Sequence, residues 1–221
     1  MNSNNTIDKL PLESFAQQFE QALKNMDRVT AQQILAEAGA KMDTPACVDQ
    51  VVLPALEHIG LRWEQGTASL ALVYMSGRIC EELVDRILPP ASPLRIRQPK
   101  TAIAILEDFH VLGKSIIYST LRAGGIELHD FGTMNVEQLV NKTIENDVRI
   151  LLISVLMFAS AKRVKEVSDQ LKVRGATTRI IVGGAPFRMD DQLWKEVGAD
   201  AVGTDTVKAL QVTQQMIEVL S

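Results

Sequence analysis

Apolar residues in the first 90 positions recur every three or four residues, which is the spacing of one face of an α-helix. The first stripe is formed by Leu12, Phe15, Phe19, Leu23 and Met26. A third helix is predicted to begin with Thr44 as its N-cap and Pro45 in its first turn, to kink at Pro54 and to end near Gly66. A fourth is predicted over about residues 69–88. Residues 1–90 are therefore predicted to form a four-helix bundle.

Four of the eight prolines lie in residues 89–99. Proline fixes the φ angle and removes a backbone donor. Residues 91–99 are therefore predicted to form a semi-rigid linker, and we interpret this linker as a hinge.

From residue 100 onwards, short β-rich runs alternate with helical stretches. The predicted strands are Thr101–Leu106, Ile126–Phe131, Arg149–Val155, Arg179–Val182 and Asp200–Val202. The predicted helices lie near Lys114–Ala123, Val136–Asn146, Ala161–Val173, Asp190–Val197 and Val207–Leu220. Alternation of this kind indicates a parallel sheet with right-handed crossovers, covered by helices on both faces. Residues 100–221 are thus predicted to form an α/β domain with a flavodoxin-like, doubly wound sheet of order 2-1-3-4-5.

The composition argues against nucleic-acid-binding, membrane-spanning and disulfide-rich secreted proteins. Hydrophobic residues make up 46% of the chain, charged residues 23%, and the net charge is −4, so there is no basic footprint for nucleic acid. No apolar run approaches the roughly 20 residues that span a bilayer. The polar start has no apolar signal-peptide region. Cys47 and Cys80 are too few for a disulfide scaffold. We therefore expect a soluble, cytoplasmic protein.

Candidate chemistry gathers where predicted strands end. The first strand runs into Asp108, His110 and Gly113, in a D-x-H-x-x-G pattern. An imidazole there can ligate a metal through one ring nitrogen while a nearby carboxylate accepts the proton of the other. The pattern alone is short, and a single loop histidine is usually just a polar surface residue.

Two further matches lie at the ends of later strands. Ser154 and Leu156 form S-x-L after the third strand, with Ser160 close behind, and Gly183–Gly184 follow the fourth. This ordered set resembles the cobalamin-binding domain of corrinoid proteins, as in methionine synthase, corrinoid methyltransferase subunits and cobalamin-dependent mutases. The segment 54–66 also resembles part of the helical cap bundle found in the methyltransferase type.

The resemblance implies a role for each matching residue. His110 would bind cobalt from below in place of the cofactor's own base, the base-off/His-on mode. Asp108 would hydrogen-bond His110, and Ser160 would hydrogen-bond Asp108, giving a ligand triad. The other implied cofactor-binding residues are Gly113, Ser154 and Leu156 around the nucleotide tail, Gly183 and Gly184 beside it, and Trp63 over the upper ligand. Packing within the bundle is an equally good interpretation of Trp63.

The resemblance further implies a corrinoid methyl carrier that does not turn over alone. Its partners would be substrate- and acceptor-specific methyltransferase proteins and a reductive activase, with the oligomeric state left open. Val111 stands where methyltransferase relatives commonly carry an acidic residue after the histidine. That departure motivates a cobalamin sensor or storage protein as the alternative. A mutase subunit is a third, weaker option, because such domains rarely carry this bundle.

Overall fold

The computed structural model describes residues 9–90 and 92–221; the polar start considered above and the side chain of Leu12 lie outside the described residues. The helices before residue 90 are α1 (Lys9–Lys24), α2 (Arg28–Gly39), α3 (Thr44–Cys47), α4 (Leu53–Glu64) and α5 (Leu70–Ile87), with a π-helical turn (Val48–Val52) between α3 and α4. Within the described ranges, no helix is both long and apolar enough to cross a membrane.

Strands and helices alternate in the rest of the chain. Their bounds are α6 (Pro93–Ile96), β1 (Thr101–Leu106), α7 (Val111–Ala123), β2 (Leu128–Met134), α8 (Val136–Glu145), β3 (Ile150–Ser154), α9 (Phe158–Val173), β4 (Arg179–Gly183), α10 (Ala185–Met189), α11 (Leu193–Glu196), β5 (Ala201–Gly203) and α12 (Thr206–Leu220). The chain divides into two compact units. The first holds the described residues up to Ser92 together with Ser119–Ile126, and the second holds Pro93–Tyr118 and Glu127–Ser221.

In the first unit, the predicted helical stripe is buried. Phe15, Phe19 and Leu23 are all inaccessible or nearly so, whereas Met26, which follows the end of α1, is 42% exposed. Helix α1 packs against α2, α4 and α5. The residues that recur every three or four positions therefore form the core of this unit, as their spacing predicts.

The sheet of the second unit confirms the predicted fold class. Its five strands are all parallel and lie in the order β2-β1-β3-β4-β5. Every residue of β1 is buried, as expected for a central strand with helices on both faces. The strand order reverses between β1 and β3. The loops that follow these two strands therefore lie at the switch point, where doubly wound sheets bind ligands.

At two places, a local hydrogen bond moves the predicted start of an element. The second strand begins at Leu128 rather than at Ile126, because the Ile126 amide donates to Leu121 in the glycine turn that ends α7. Asp43, not Thr44, caps α3, since its carboxylate accepts the amide of Ala46. Near Pro54, the irregularity takes the form of the π-helical turn just before it.

Of the helix predicted over Asp190–Val197, only the short helix α11 (Leu193–Glu196) is present, and α10 is a separate helix that ends before it. Asp190 has extended backbone angles, which interrupt the helix, and its carboxylate accepts the amides of Gln192 and Leu193. The predicted linker also contains regular structure, since α6 lies inside it. Arg95 of α6 is buried and forms an ion pair with Glu127 in the same unit. This part of the segment therefore packs within the second unit.

Glycine is required at the end of β4 by the packing of the chain itself. Gly184 has φ +119°, and a Cβ atom there would lie 1.7 Å from the carbonyl oxygen of Val155. Gly175 has φ +73°, but a Cβ atom there would meet nothing within 4 Å. A side chain at Gly175 would therefore meet backbone strain alone, whereas one at Gly184 would meet both strain and steric overlap.

We predict that Gly184→Ala lowers the free energy of unfolding of the second unit by more than about 3 kcal/mol, because strain and overlap add. Gly175→Ala, the control, should cost only about 1–2 kcal/mol. Denaturant titration followed by the fluorescence of Trp194, in a Trp63→Phe background, measures both. Equal losses in the two variants would contradict the role given to the Val155 carbonyl.

Candidate functional site

The Asp108–His110 pair lies in the loop between β1 and α7. The Nδ1 atom of His110 is 2.5 Å from Oδ1 of Asp108, and the same oxygen accepts the backbone amides of Phe109 and His110. Asp108 is almost completely buried, whereas the side chain of His110 is 56% exposed. The imidazole is therefore held on one side and open to solvent on the other.

The second carboxylate oxygen of Asp108 joins this loop to the loop after β3. It accepts the backbone amides of Leu156 at 2.7 Å and Met157 at 2.9 Å. Burial alone would raise the pKa of Asp108, but the hydrogen bonds from the His110 side chain and from these amides outweigh it and hold the pKa well below its usual range. Asp108 is thus an ionised carboxylate that can only accept hydrogen bonds.

This charge state determines the tautomer of His110. Because Asp108 only accepts, the Nδ1 atom of His110 carries a proton and donates it, so in the neutral ring the lone pair lies on Nε2. A lone pair on Nε2 is what a metal ligand requires. The predicted contact between Asp108 and His110 is present, and it leaves the outer ring nitrogen available to a metal.

The third member of the predicted triad lies close by but makes a different bond. The hydroxyl of Ser160 donates to the backbone carbonyl of Glu107 at 2.8 Å, not to Asp108. The physical reason is that both oxygens of Asp108 already accept other donors. The predicted hydrogen bond from Ser160 to Asp108 is therefore corrected: Ser160 contacts the residue that precedes Asp108.

Sequence reasoning missed two residues of this site. The carboxylate of Glu107 accepts a hydrogen bond from Nη1 of Arg163 at 2.9 Å. Helix α9 begins at Phe158, three residues earlier than predicted, so Ser160 and Arg163 lie three positions apart on one helical face. The spacing of three residues could have indicated that Ser160 and Arg163 contact the same group. Using it requires knowing that the helix already begins at Phe158.

The predicted glycines differ in what the chain itself requires. At Gly113, in the first turn of α7, an added Cβ atom would meet nothing within 4 Å. At Gly183, it would lie 2.9 Å from the carbonyl oxygen of Gly203, and the overlap at Gly184 is more severe. Gly183 and Gly184 are thus needed for packing, while the space beside Gly113 remains for a ligand.

The remaining predicted residues lie in both units. Ser154 ends β3, and Leu156 follows it with an exposed side chain; both belong to the second unit together with His110. Trp63 lies on α4 in the first unit and is half-buried. Its contact with a cofactor stays a prediction, as do the tail contacts of Ser154 and Leu156.

Exposed apolar side chains flank His110 in the two joined loops. Phe109 is 90% exposed, and the other members of this apolar surface are Val111, Leu112, Leu156, Met157 and Phe158. Contiguous exposed apolar residues on a protein surface usually mark a binding site. The residues present therefore fit a ligand with a large apolar face, and the Nε2 atom of His110 could hold a metal carried by that ligand.

Comparison with known families supports this fit. The family model of a B12 binding domain matches residues 100–211, and a second B12 binding domain model matches residues 16–88. These two matches cover both the α/β part of the chain and the helical part before it.

Individual relatives are distant but similar in length. The dimethylamine corrinoid protein of Methanosarcina barkeri is 22% identical over 219 residues, covering 93% of this chain and 98% of the relative. Trimethylamine corrinoid protein 1 of Methanosarcina mazei is 28% identical over 203 residues, covering 86% and 92%.

Solved structures show the same fold. A cobalamin-binding protein from Desulfitobacterium hafniense DCB-2 has a TM-score of 0.76 at 23% identity, with 93% of this chain and 98% of that chain covered. The methanol:cobalamin methyltransferase complex of Methanosarcina barkeri gives a TM-score of 0.65 at 19% identity, with 93% and 80% covered. The family match over half of the chain assigns cobalamin as its cofactor, and the chain belongs to the B12 binding domain family.

Proposed function

We propose that this chain is a corrinoid methyl carrier that binds cobalamin in the base-off/His-on mode and exchanges methyl groups with separate methyltransferase proteins. The observation that carries the cofactor mode is the Nδ1–carboxylate bond of 2.5 Å between His110 and Asp108. It keeps the proton on Nδ1 and directs Nε2 outward. Cobalamin supplies the chemistry, which is a cobalt centre that accepts and releases a methyl group.

The chain's own residues have three tasks in this proposal. His110 provides the lower ligand, and Asp108 fixes its tautomer and ring orientation. The exposed apolar surface around Phe109 excludes water from one face of the macrocycle. Gly113 leaves room beside the ligand at the start of α7. None of these residues transfers the methyl group, so a partner must hold each methyl donor or acceptor.

The proposed partners follow from the relatives. The relatives include a dimethylamine corrinoid protein and a trimethylamine corrinoid protein. One similar solved structure is a methanol:cobalamin methyltransferase complex. These names support substrate-specific methyltransferases as partners and do not favour a sensor or storage protein. A reductive activase is a further partner in this proposal. Two buried free cysteines support action in the cytoplasm.

We predict that His110→Ala retains part of its cobalamin binding but loses the base-off/His-on visible spectrum. Removing the ligand should weaken affinity at least about tenfold, since outer-shell changes alone cost that much at metal sites. Spectral titration with cobalamin measures both quantities. His129→Ala, an exposed histidine of β2, is the matched control and should leave both unchanged. An unaltered spectrum in His110→Ala would contradict the assigned ligand.

The low pKa of Asp108 predicts a specific pH dependence in the cofactor-free protein. A carboxylate whose pKa is lower in the folded state stabilises the fold above its unfolded pKa of about 4, and this contribution is lost as pH falls below that value. Asp108→Asn should therefore be less stable than the wild type at pH 7 by about 1–3 kcal/mol, and the difference should shrink towards pH 2.

The measurement is the free energy of unfolding from denaturant titration at several pH values. Asp191→Asn, which changes an exposed carboxylate, is the control and should stay within about 0.5 kcal/mol of the wild type. A difference between Asp108→Asn and the wild type that stays constant from pH 7 to pH 2 would contradict the buried ionised carboxylate.

Methyl transfer itself tests the carrier role. The chain loaded with methylcobalamin should lose its methyl group when mixed with a methyltransferase encoded beside its gene and that enzyme's acceptor. The rate should exceed that of free methylcobalamin at the same concentration, because the chain positions the cofactor for the partner. Retained cobalamin binding with no transfer to any neighbouring methyltransferase would favour the sensor alternative.

A further inference from the structure

Glu107, the residue before Asp108, has a backbone conformation that side-chain-bearing residues rarely adopt. Its φ angle is +47°, in the left-handed region, although it is not glycine. Such a conformation persists only where the surrounding structure holds it, and it is concentrated at functional sites. The contacts of Glu107 therefore indicate what maintains the turn between β1 and the Asp108–His110 pair.

Every polar group of Glu107 is engaged. Its amide donates to the carbonyl of Met134 at 2.9 Å, and its carbonyl accepts the hydroxyl of Ser160 at 2.8 Å. Its carboxylate accepts Nη1 of Arg163 at 2.9 Å and the amide of Val136 at 3.4 Å. These partners come from the end of β2, the start of α8 and the first two turns of α9, so three elements hold one residue.

We propose that Glu107 and Arg163 join Ser160 in positioning the cobalt ligand, and that Ser160 and Arg163 both act through Glu107. Together, Glu107, Ser160 and Arg163 are called the Glu107 cluster. The cluster fixes the left-handed turn, and this turn brings Asp108 to the amides of Leu156 and Met157. Ser160 thus acts on the backbone before Asp108 rather than on the Asp108 carboxylate. This inference rests on the proposed function of His110.

The hydrogen bond from Ser160 and the ion pair with Arg163 hold Glu107 with different strength. Ser160 is almost completely buried, so removing its hydroxyl leaves the Glu107 carbonyl without that partner in a place with little water. The ion pair is more exposed, with 43% of the Arg163 side chain and 27% of the Glu107 side chain accessible. Exposed ion pairs contribute less than buried hydrogen bonds. Ser160→Ala should therefore have the larger effect.

The test compares two variants with two controls from the same unit. Ser168 lies on the same helix as Ser160, is also buried, and donates to the carbonyl of Gly198 at 3.0 Å. Arg179 forms an ion pair with Asp200 that is exposed to a similar degree. Ser160→Ala is matched by Ser168→Ala, and Arg163→Gln by Arg179→Gln, so general loss of stability is controlled.

Two readouts report on the loop. In the cofactor-free protein, hydrogen exchange of the Phe109 and His110 amides should be about fivefold faster in Ser160→Ala, the effect of one net hydrogen bond. In the protein loaded with hydroxocobalamin, the ratio of His-on to His-off spectra should fall by about the same factor. Arg163→Gln should change both by about twofold, and the two controls should change neither.

The outcomes separate this inference from the proposed function. A wild-type chain without a His-on spectrum would overturn both. A His-on wild type in which Ser160→Ala matches Ser168→Ala would overturn the positioning role alone. If Ser160→Ala weakens the His-on form while Arg163→Gln behaves as Arg179→Gln in both readouts, the path through Glu107 is wrong. Faster loop exchange and a weaker His-on form in both cluster variants would support it.

Discussion

The candidate site depends on one buried negative charge. The carboxylate of Asp108 accepts hydrogen bonds from the Phe109 and His110 amides, the imidazole of His110 and the amides of Leu156 and Met157. Burying a charge is costly unless such bonds satisfy it. Satisfying this one requires the loops after β1 and β3 to meet. The orientation of His110 is therefore a consequence of how the sheet edge closes.

Much of the fold was predictable because hydrophobic spacing differs between helices and strands. The five strands, their parallel order and the buried face of α1 follow from that spacing and from the handedness of crossovers. The ends of elements were less predictable, because single hydrogen bonds determine them. Ile126 has the β-branched side chain of a strand residue, yet its amide is committed to the turn that ends α7.

Some contacts of the candidate site could be predicted from the sequence, and others could not. The D-x-H spacing places a carboxylate where it can reach the ring two residues later, and the structure has that bond. The partner of Ser160 could not be derived in this way. It depends on the left-handed turn at Glu107, and a glutamate gives no sign of such a turn in the sequence. The ion pair of Arg163 could not be predicted for the same reason, because its partner Glu107 is positioned by that turn.

The motif residues are unequal as evidence for a ligand. Gly184 must be glycine because the chain's own backbone occupies the place of a side chain, so its presence would be explained without any cofactor. Gly113 has open space around it, and Phe109 exposes an aromatic ring that folding alone would favour burying. His110 keeps a ring nitrogen directed away from the carboxylate of Asp108. Residues whose identity the fold does not require give the stronger argument for ligand binding. Phe109, His110 and Gly113 are such residues, and all three lie between the end of β1 and the first turn of α7.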